Sequence, residues 1–253
     1  MVPLRVLPVL LALCFTGCAA HRFAAQRLGP LPAPEPLAID ESTAMRLDPA
    51  RTELTRDYFR LHAPTLGLQP PFAMQPKVVV VHYTAVPTLA GTLRVFRAET
   101  IDGGRGQVAA NGRLNVGIQF VVDRDGRVYR LFPETTITRH VIGLNHVAIG
   151  IENIGSEDIS ADQLRGRIGP DGNGRQLTPA QLEANVALIR ALKARHPGLE
   201  WVIGHQEYRD FEHPAHPGRA LFVEAVPGYR TEKSDPGKRF MAELRRRLKG
   251  PAR

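Results

Sequence analysis

Lys77-Val78-Val79-Val80-Val81-His82-Tyr83-Thr84-Ala85 is the stretch that decides the architecture. Four consecutive β-branched residues with no polar alternation predict a central strand buried on both faces, as in parallel or mixed sheets covered by helices. His82 closes the run, at the C-terminal strand end where open α/β sheets gather ligand-binding groups. Downstream, Leu89, Leu93 and Phe96 recur at helical spacing. FVVDRDGRVYRL (120–131) reads as two strands around Arg124-Asp125-Gly126, because an Asp-Gly pair supplies the positive φ angles of a tight hairpin. Residues 147–154 make a further strand with Glu152 inside it, and residues 155–177, rich in Gly, Asp and Arg, a surface loop. Thr178-Pro179-Ala180-Gln181 opens a helix, with threonine as cap, proline in the first turn and glutamine completing a capping box. Leu182, Val186, Ile189 and Leu192 share one face of it, and His196-Pro197-Gly198 ends it. Residues 201–204 form a short strand delivering His205, and residues 236–248 a closing helix with Phe240 and Leu244 on its apolar side. Strands alternating with helices predict an α/β fold, a mixed central β-sheet flanked by helices.

The chain of 253 residues, 43% hydrophobic, is long enough for one sizeable core with extensions. Arg5 followed by the apolar residues 6–15 reads as a secretion signal, too short to span a bilayer. It ends in Phe15-Thr16-Gly17-Cys18, which is similar to a bacterial lipoprotein processing site and would make Cys18 the acylated first residue of the mature chain. Phenylalanine stands where leucine is more usual, and a plain signal peptide cut after a nearby alanine is the alternative. With Cys14 removed and Cys18 acylated, no cysteine pair is left for a disulfide. Ala19 and Ala20 follow with no aspartate, which points to the outer membrane, facing the periplasm. RLGPLPAPEP (27–36) predicts an extended, semi-rigid spacer. Residues 48–62 predict a helix with Pro49 in its first turn, packed on the domain's edge. The expected organisation is a signal peptide over 1–17, a lipidated N-terminus and linker over 18–36, a helical extension over 37–75 and the main domain over 76–250. A net charge of +8 raises the question of nucleic acid. Export, and the lack of a basic stripe interleaved with aromatics, argue against it. The charge reads instead as a solvated surface attracted to anionic wall or lipid headgroups.

His82, His205 and Asp235 could supply two imidazoles and a carboxylate, a set that can hold zinc and leave a fourth position for water, as in hydrolytic rather than structural sites. No HExxH pair is present, so the ligands must converge from separate segments. Each residue has a plainer reading. A histidine ending an apolar strand is usually a hydrogen-bonded core residue, and Asp235 before Pro236 could simply cap the closing helix. Glu152 could face water from an edge strand, and Lys233 could be a solvated surface cation.

VVVHYTA (79–85), FVVDRDGRVYRL, RHVIGLNHVAIGIENIG (139–155), LTPAQLEANVALI (177–189), VIGH (202–205) and KSDPGKRF (233–240) occur in an order that resembles the zinc-dependent N-acetylmuramoyl-L-alanine amidases of the type 2 family, which share the fold of peptidoglycan recognition proteins. The resemblance runs from about residue 76 to residue 245, and its motifs are specific in combination. It implies His82, His205 and Asp235 as ligands of a Zn2+ cofactor, Glu152 as the catalytic carboxylate and Lys233 as a catalytic group stabilising the oxyanion. His140 and Asn145 resemble positions near the substrate groove, with hydrogen bonding within their own loop as the alternative. Some relatives carry a catalytic tyrosine on the strand before the hairpin. Here Val116-Gly117-Ile118-Gln119-Phe120 has none, which leaves Glu152 as the base. His205 and Asp235 lie 235 − 205 = 30 positions apart, farther than in compact members. The intervening residues 206–232 could form a lid or binding loop, with Tyr208, Phe211, Phe222 and Tyr229 available for internal packing or sugar contacts. His213 and His216 within them rival His205 as ligand. The implied activity is hydrolysis of the amide between N-acetylmuramic acid and L-alanine in peptidoglycan or muropeptides, in cell-wall turnover or recycling, by a lipid-anchored monomer. A non-catalytic peptidoglycan-binding module, or a metallopeptidase cutting within the stem peptide, are the alternatives.

Overall fold

The computed structural model describes residues 23–101 and 106–250. The predicted leader and Cys18 lie outside them. A seven-stranded mixed sheet is built from β1 (Gln26–Arg27), β2 (Ile39–Asp40), β3 (Val78–Tyr83), β4 (Phe120–Val122), β5 (Val128–Arg130), β6 (Ala148–Asn153) and β7 (Trp201–Gly204), in the order β1-β7-β3-β6-β4-β5-β2. The helices are α1 (Pro49–His62), α2 (Leu89–Arg97), α3 (Gly106–Ala109), α4 (Ala161–Leu164), α5 (Pro179–Arg195) and α6 (Lys238–Leu248). This is the α/β architecture expected, with the valine strand at its centre, paired in parallel with β6 on one side and β7 on the other.

Val78, Val79, Val80 and Val81 are all fully buried, each contributing about 1.5–3 kcal/mol through the apolar surface it removes from water. Side chains alternate across a strand, so these valines divide between two cores. Val79 and Val81 join Ile149, Ile151 and Val202 under α5 and α6. Val78 and Val80 face the other way, with Ala148, Trp201 and Ile203.

The N-terminal segments depart from expectation. The proline-rich stretch is extended, but it is not a free spacer. β1 adds antiparallel to the outer edge of β7, and β2 adds to β5 at the opposite edge of the sheet. Residues 28–38 therefore cross six strand-to-strand gaps, about 29 Å at the usual strand spacing, within reach of eleven extended residues. Leu28, Leu31 and Leu37 pack on the α5/α6 core along the way, and Pro32 lies against Gly250 beyond α6. Edge hydrogen bonding and these leucines turn the segment into a strap. Residues 155–177, expected as loop, contain α4, because Ser160 and Gln163 form a reciprocal capping box.

The insertion over 206–232 folds onto the sheet. His205–Glu212 and Arg219–Leu221 form 3₁₀ turns. Tyr208, Phe211, Phe222 and Tyr229 are buried against Trp201, Val78 and Val80, so its aromatic residues serve chiefly as the core of that face. Among the described residues, no helix is long and apolar enough to cross a membrane.

Candidate metal centre and active-site cleft

Strand register builds the centre. His82 pairs with Glu152 across β3 and β6, and Val81 pairs with Gly204 across β3 and β7, so His205 follows at the next step. Three parallel strands thus end in one row, about 4.8 Å between neighbours. All three residues continue the alternation of Val80, Gly150 and Ile203, which puts them on the face opposite α5 and α6. That row is held from below. Asn185 on α5 donates to the Asn153 side chain at 2.7 Å, and Asn153 donates to the His82 carbonyl at 3.0 Å.

Asp235 arrives from the segment before α6. The simpler reading of this aspartate, as a helix cap, does not hold, because α6 begins at Lys238 with Gly237 at its N-cap position. Asp158 caps the helix from a distance: its two carboxylate oxygens accept from the backbone N–H groups of Arg239 at 2.8 Å and Phe240 at 2.9 Å. Gly237 has φ 106°, and a Cβ there would fall 2.2 Å from Asp158 Cγ, so glycine is required both by conformation and by space. Asp235 is left free to face the histidines.

His82 Nδ1 lies 3.0 Å from His205 Nδ1 and 3.2 Å from Asp235 Oδ2, and His205 Nδ1 lies 3.1 Å from the same oxygen. All three residues are buried. For bonds of about 2.0–2.1 Å in a tetrahedral centre, ligand atoms stand about 3.3 Å apart. The triangle is close to that size, its donor set is two nitrogens and a carboxylate oxygen, and the residues fit zinc.

Burial pushes the His82 imidazole down to about 4, assisted by the neighbouring His205, so the ring is neutral at pH 7 and available as a ligand. Burial alone would raise the Asp235 carboxyl; the facing imidazoles of His205 and His82 overcome it and hold it below the ordinary carboxylate range. Both forms are those that metal binding needs.

A cleft of about 890 Å³ opens over the row. Glu152, half-buried, and the exposed Lys233 both line it beside the three candidate ligands. Val95, Phe96, Val116 and Ile142 give its lining an apolar part. His213 and His216 stand elsewhere: His216 is buried between Trp201 and Phe211, and Phe23 packs on both imidazoles.

His140 and Asn145 also line the cleft, but their polar atoms are largely engaged within the protein. Asn145 Oδ1 accepts from the backbone N–H of His140 and of Val141, each at 2.8 Å, and its Nδ2 donates to the Tyr58 hydroxyl at 3.2 Å. His140 Nδ1 lies 3.1 Å from His82 Nε2, and His140 Nε2 lies 3.1 Å from the Ala148 carbonyl.

Several cleft residues escaped the sequence reading. Tyr58 comes from α1, expected only as edge packing, although Thr55, Tyr58, Phe59 and His62 are buried together at helical spacing. Arg139 donates to the carbonyls of Val108, Asn111, Gly112 and Leu114 at 2.6–3.2 Å and to the Tyr229 hydroxyl at 3.1 Å, fastening the wall that α3 begins. An arginine beside a candidate site histidine was the available signal, but its caged carbonyls belong to a loop without a motif.

The sequence profile of the N-acetylmuramoyl-L-alanine amidase family matches residues 72–238. An endolysin of Klebsiella phage KP32 is 30% identical over 94 residues, 37% of this chain; the chain spans only 56% of that relative's length. Similar solved structures include the endolysin N-acetylmuramoyl-L-alanine amidase LysCS of Clostridium intestinale, at 20% identity and a TM-score of 0.40, covering 73% of this chain and 92% of that one. Drosophila PGRP-LB is 20% identical with a TM-score of 0.37, covering 64% and 86%.

Proposed function

We propose, for a chain that belongs to the N-acetylmuramoyl-L-alanine amidase family, that it hydrolyses the amide between N-acetylmuramic acid and L-alanine in peptidoglycan or muropeptides, with zinc as its cofactor. One observation carries the reading: His82, His205 and Asp235 converge within 4.8 Å at the floor of a cleft that Glu152 and Lys233 also line. His82, His205 and Asp235 would hold the zinc ion, which would supply Lewis acidity toward the scissile carbonyl and lower the pKa of a water toward about 7. Glu152 then accepts the attacking water's proton and returns it to the departing amine of L-alanine. Lys233 reaches from the rim to balance the negative charge that develops on the carbonyl oxygen. The apolar lining at Phe96, Val116 and Ile142 limits water around the reacting groups and gives the substrate a surface to lie on.

The wider setting belongs to the same proposal. Cys18 is acylated and anchors a monomer to the outer membrane, facing the periplasm, where the enzyme works in wall turnover or recycling. Phe23 follows Cys18 by five positions, at most about 18 Å of chain, so the body would sit close to the lipid surface. Cys18→Ser should release the protein from membranes, and equal membrane recovery without an acyl mass would remove the anchor.

Glu152→Gln tests the chemistry. The amide keeps the shape of the side chain but cannot take a proton at neutral pH, so a zinc-loaded variant should bind muropeptides and release L-alanyl peptide about 10² to 10⁴ times more slowly. Near-parental release would assign the base elsewhere. Products cut within the stem would favour a peptidase, and binding without any hydrolysis by the parent would favour a recognition module.

A further inference from the structure

We infer that His140 is a positioning residue for the metal centre, one that fixes His82 in the tautomer carrying its proton on Nε2 and so presents the Nδ1 lone pair to the metal position. The inference rests on the zinc reading of the site and extends it to a residue whose sequence context suggested substrate.

The hydrogen-bond polarity runs in one direction. The Ala148 carbonyl only accepts, so His140 Nε2, 3.1 Å away, must carry a proton. His82 Nδ1 is the atom that meets His205 and Asp235, and a ligand nitrogen must offer a lone pair. His82 therefore keeps its proton on Nε2. That proton has an acceptor: His140 Nδ1, at 3.1 Å. One relay, Ala148 carbonyl to His140 to His82, thus accounts for every ring nitrogen in it without a misplaced proton.

The surroundings hold the His140 ring where the relay needs it. Its ring stands edge-on to that of His82, with 5.3 Å between centroids and 82° between planes. A Cβ at position 150 would lie 2.1 Å from Ile118 Cδ1, 2.9 Å from His140 Nδ1 and 3.0 Å from His140 Cε1, so Gly150 on β6 leaves room for both side chains. Behind it, Asn145 clamps the His140 backbone N–H and is itself held by Tyr58. The spacing of His140, Asn145 and Gly150 in RHVIGLNHVAIG thus serves one histidine orientation, and both His140 nitrogens are occupied before any substrate arrives.

His140→Phe keeps a ring of similar size and removes the acceptor. His140→Asn restores it, since Asn Oδ1 branches from Cγ as Nδ1 does. Zinc affinity, measured by competition with a chromogenic chelator, should fall about 10- to 100-fold in the phenylalanine variant and recover most of the way with asparagine. In the zinc-free protein, ¹⁵N shifts of His82 should report the Nε2–H tautomer in the parent and a mixture of tautomers in His140→Phe. Zinc affinity within twofold of the parent in a folded His140→Phe, with only KM raised, would overturn the inference and return His140 to the substrate. A parent that binds no zinc would overturn the metal reading instead, and the tautomer measurement would still decide the relay: an Nδ1–H His82 in the parent ends it.

Discussion

Single residues owe their roles here to what surrounds them, and the histidines show this best. His82 and His205 are chemically identical to His213 and His216, yet only the first two stand on the strand-end row, because Gly204 pairs with Val81 and β7 so delivers His205 beside His82. Strand placement was visible in the sequence. What could not be read was the partner of each ring nitrogen, since His140, Asn145 and Tyr58 meet only after α1 has docked. His146, next to Asn145 but outside the ligand cluster, offers a clean test of burial. Removal from water pushes its pKa to about 4 from the ordinary 6.5. Between those values the unfolded chain binds a proton that the folded chain refuses, so the stability His146 supports is present above pH 6.5 and lost as the pH falls toward 4. The loss is at most about 3 kcal/mol. His146→Gln does not titrate and should flatten the dependence. Urea unfolding of the zinc-free parent and variant between pH 4.5 and 7 checks this; identical slopes would show that His146 does not contribute.

At the level of elements, most boundaries were legible because they rest on local chemistry. The Thr178–Gln181 capping box starts α5 where expected, and the Gln181 side chain goes on to donate to the carbonyls of Val122 and Ile154, tying the helix to the ends of β4 and β6. α6 was misread by two residues for an instructive reason. Ser234-Asp235-Pro236 carries every local mark of a helix start, but the functional cap is Asp158, 81 and 82 positions from the amides it accepts. No local pattern reveals a cap supplied from that far along the chain. Asp158→Ala should cost about 1 kcal/mol of stability, the usual loss of an N-cap, and should also weaken zinc, because the freed first turn of α6 lies three residues beyond Asp235. Thermal unfolding and chelator competition on the same preparation separate the two effects. Lower stability with unchanged zinc affinity would show that Asp235 is fixed independently of the helix. Arg139 makes a second case at this scale. Its guanidinium serves several carbonyls of residues 108–114 at once, a geometry lysine cannot reproduce, so Arg139→Lys should destabilise the fold by about 2–4 kcal/mol and raise KM by loosening the cleft wall, readable as a split between KM and kcat.

For the whole molecule, the decisive feature is closure of the sheet's two edges by one short N-terminal segment. The proline-rich composition of residues 27–36 correctly announced an extended chain, but composition says nothing about where an extended chain lies. The two-residue strands β1 and β2 are too short to be recognised by periodicity, and their pairing partners lie at opposite ends of a sheet that exists only in three dimensions. Uncovered edges of β7 and β5 would present unpaired N–H and C=O groups, the template for pairing with other chains. The strap also shields part of the α5/α6 core through Leu28, Leu31 and Leu37. A chain beginning at residue 41 should therefore keep the candidate metal centre, to which the strap supplies no candidate ligand, while losing stability and gaining a tendency to associate. Replacing all three leucines with serine in the full chain should reproduce the loss of stability without uncovering the edges. Unfolding midpoints compared with light scattering at increasing concentration distinguish the two contributions: the truncated chain is expected to be both less stable and self-associating, the serine variant only less stable. A truncated chain as stable and as monodisperse as the parent would mean that residues 28–38 lie on the surface without holding it.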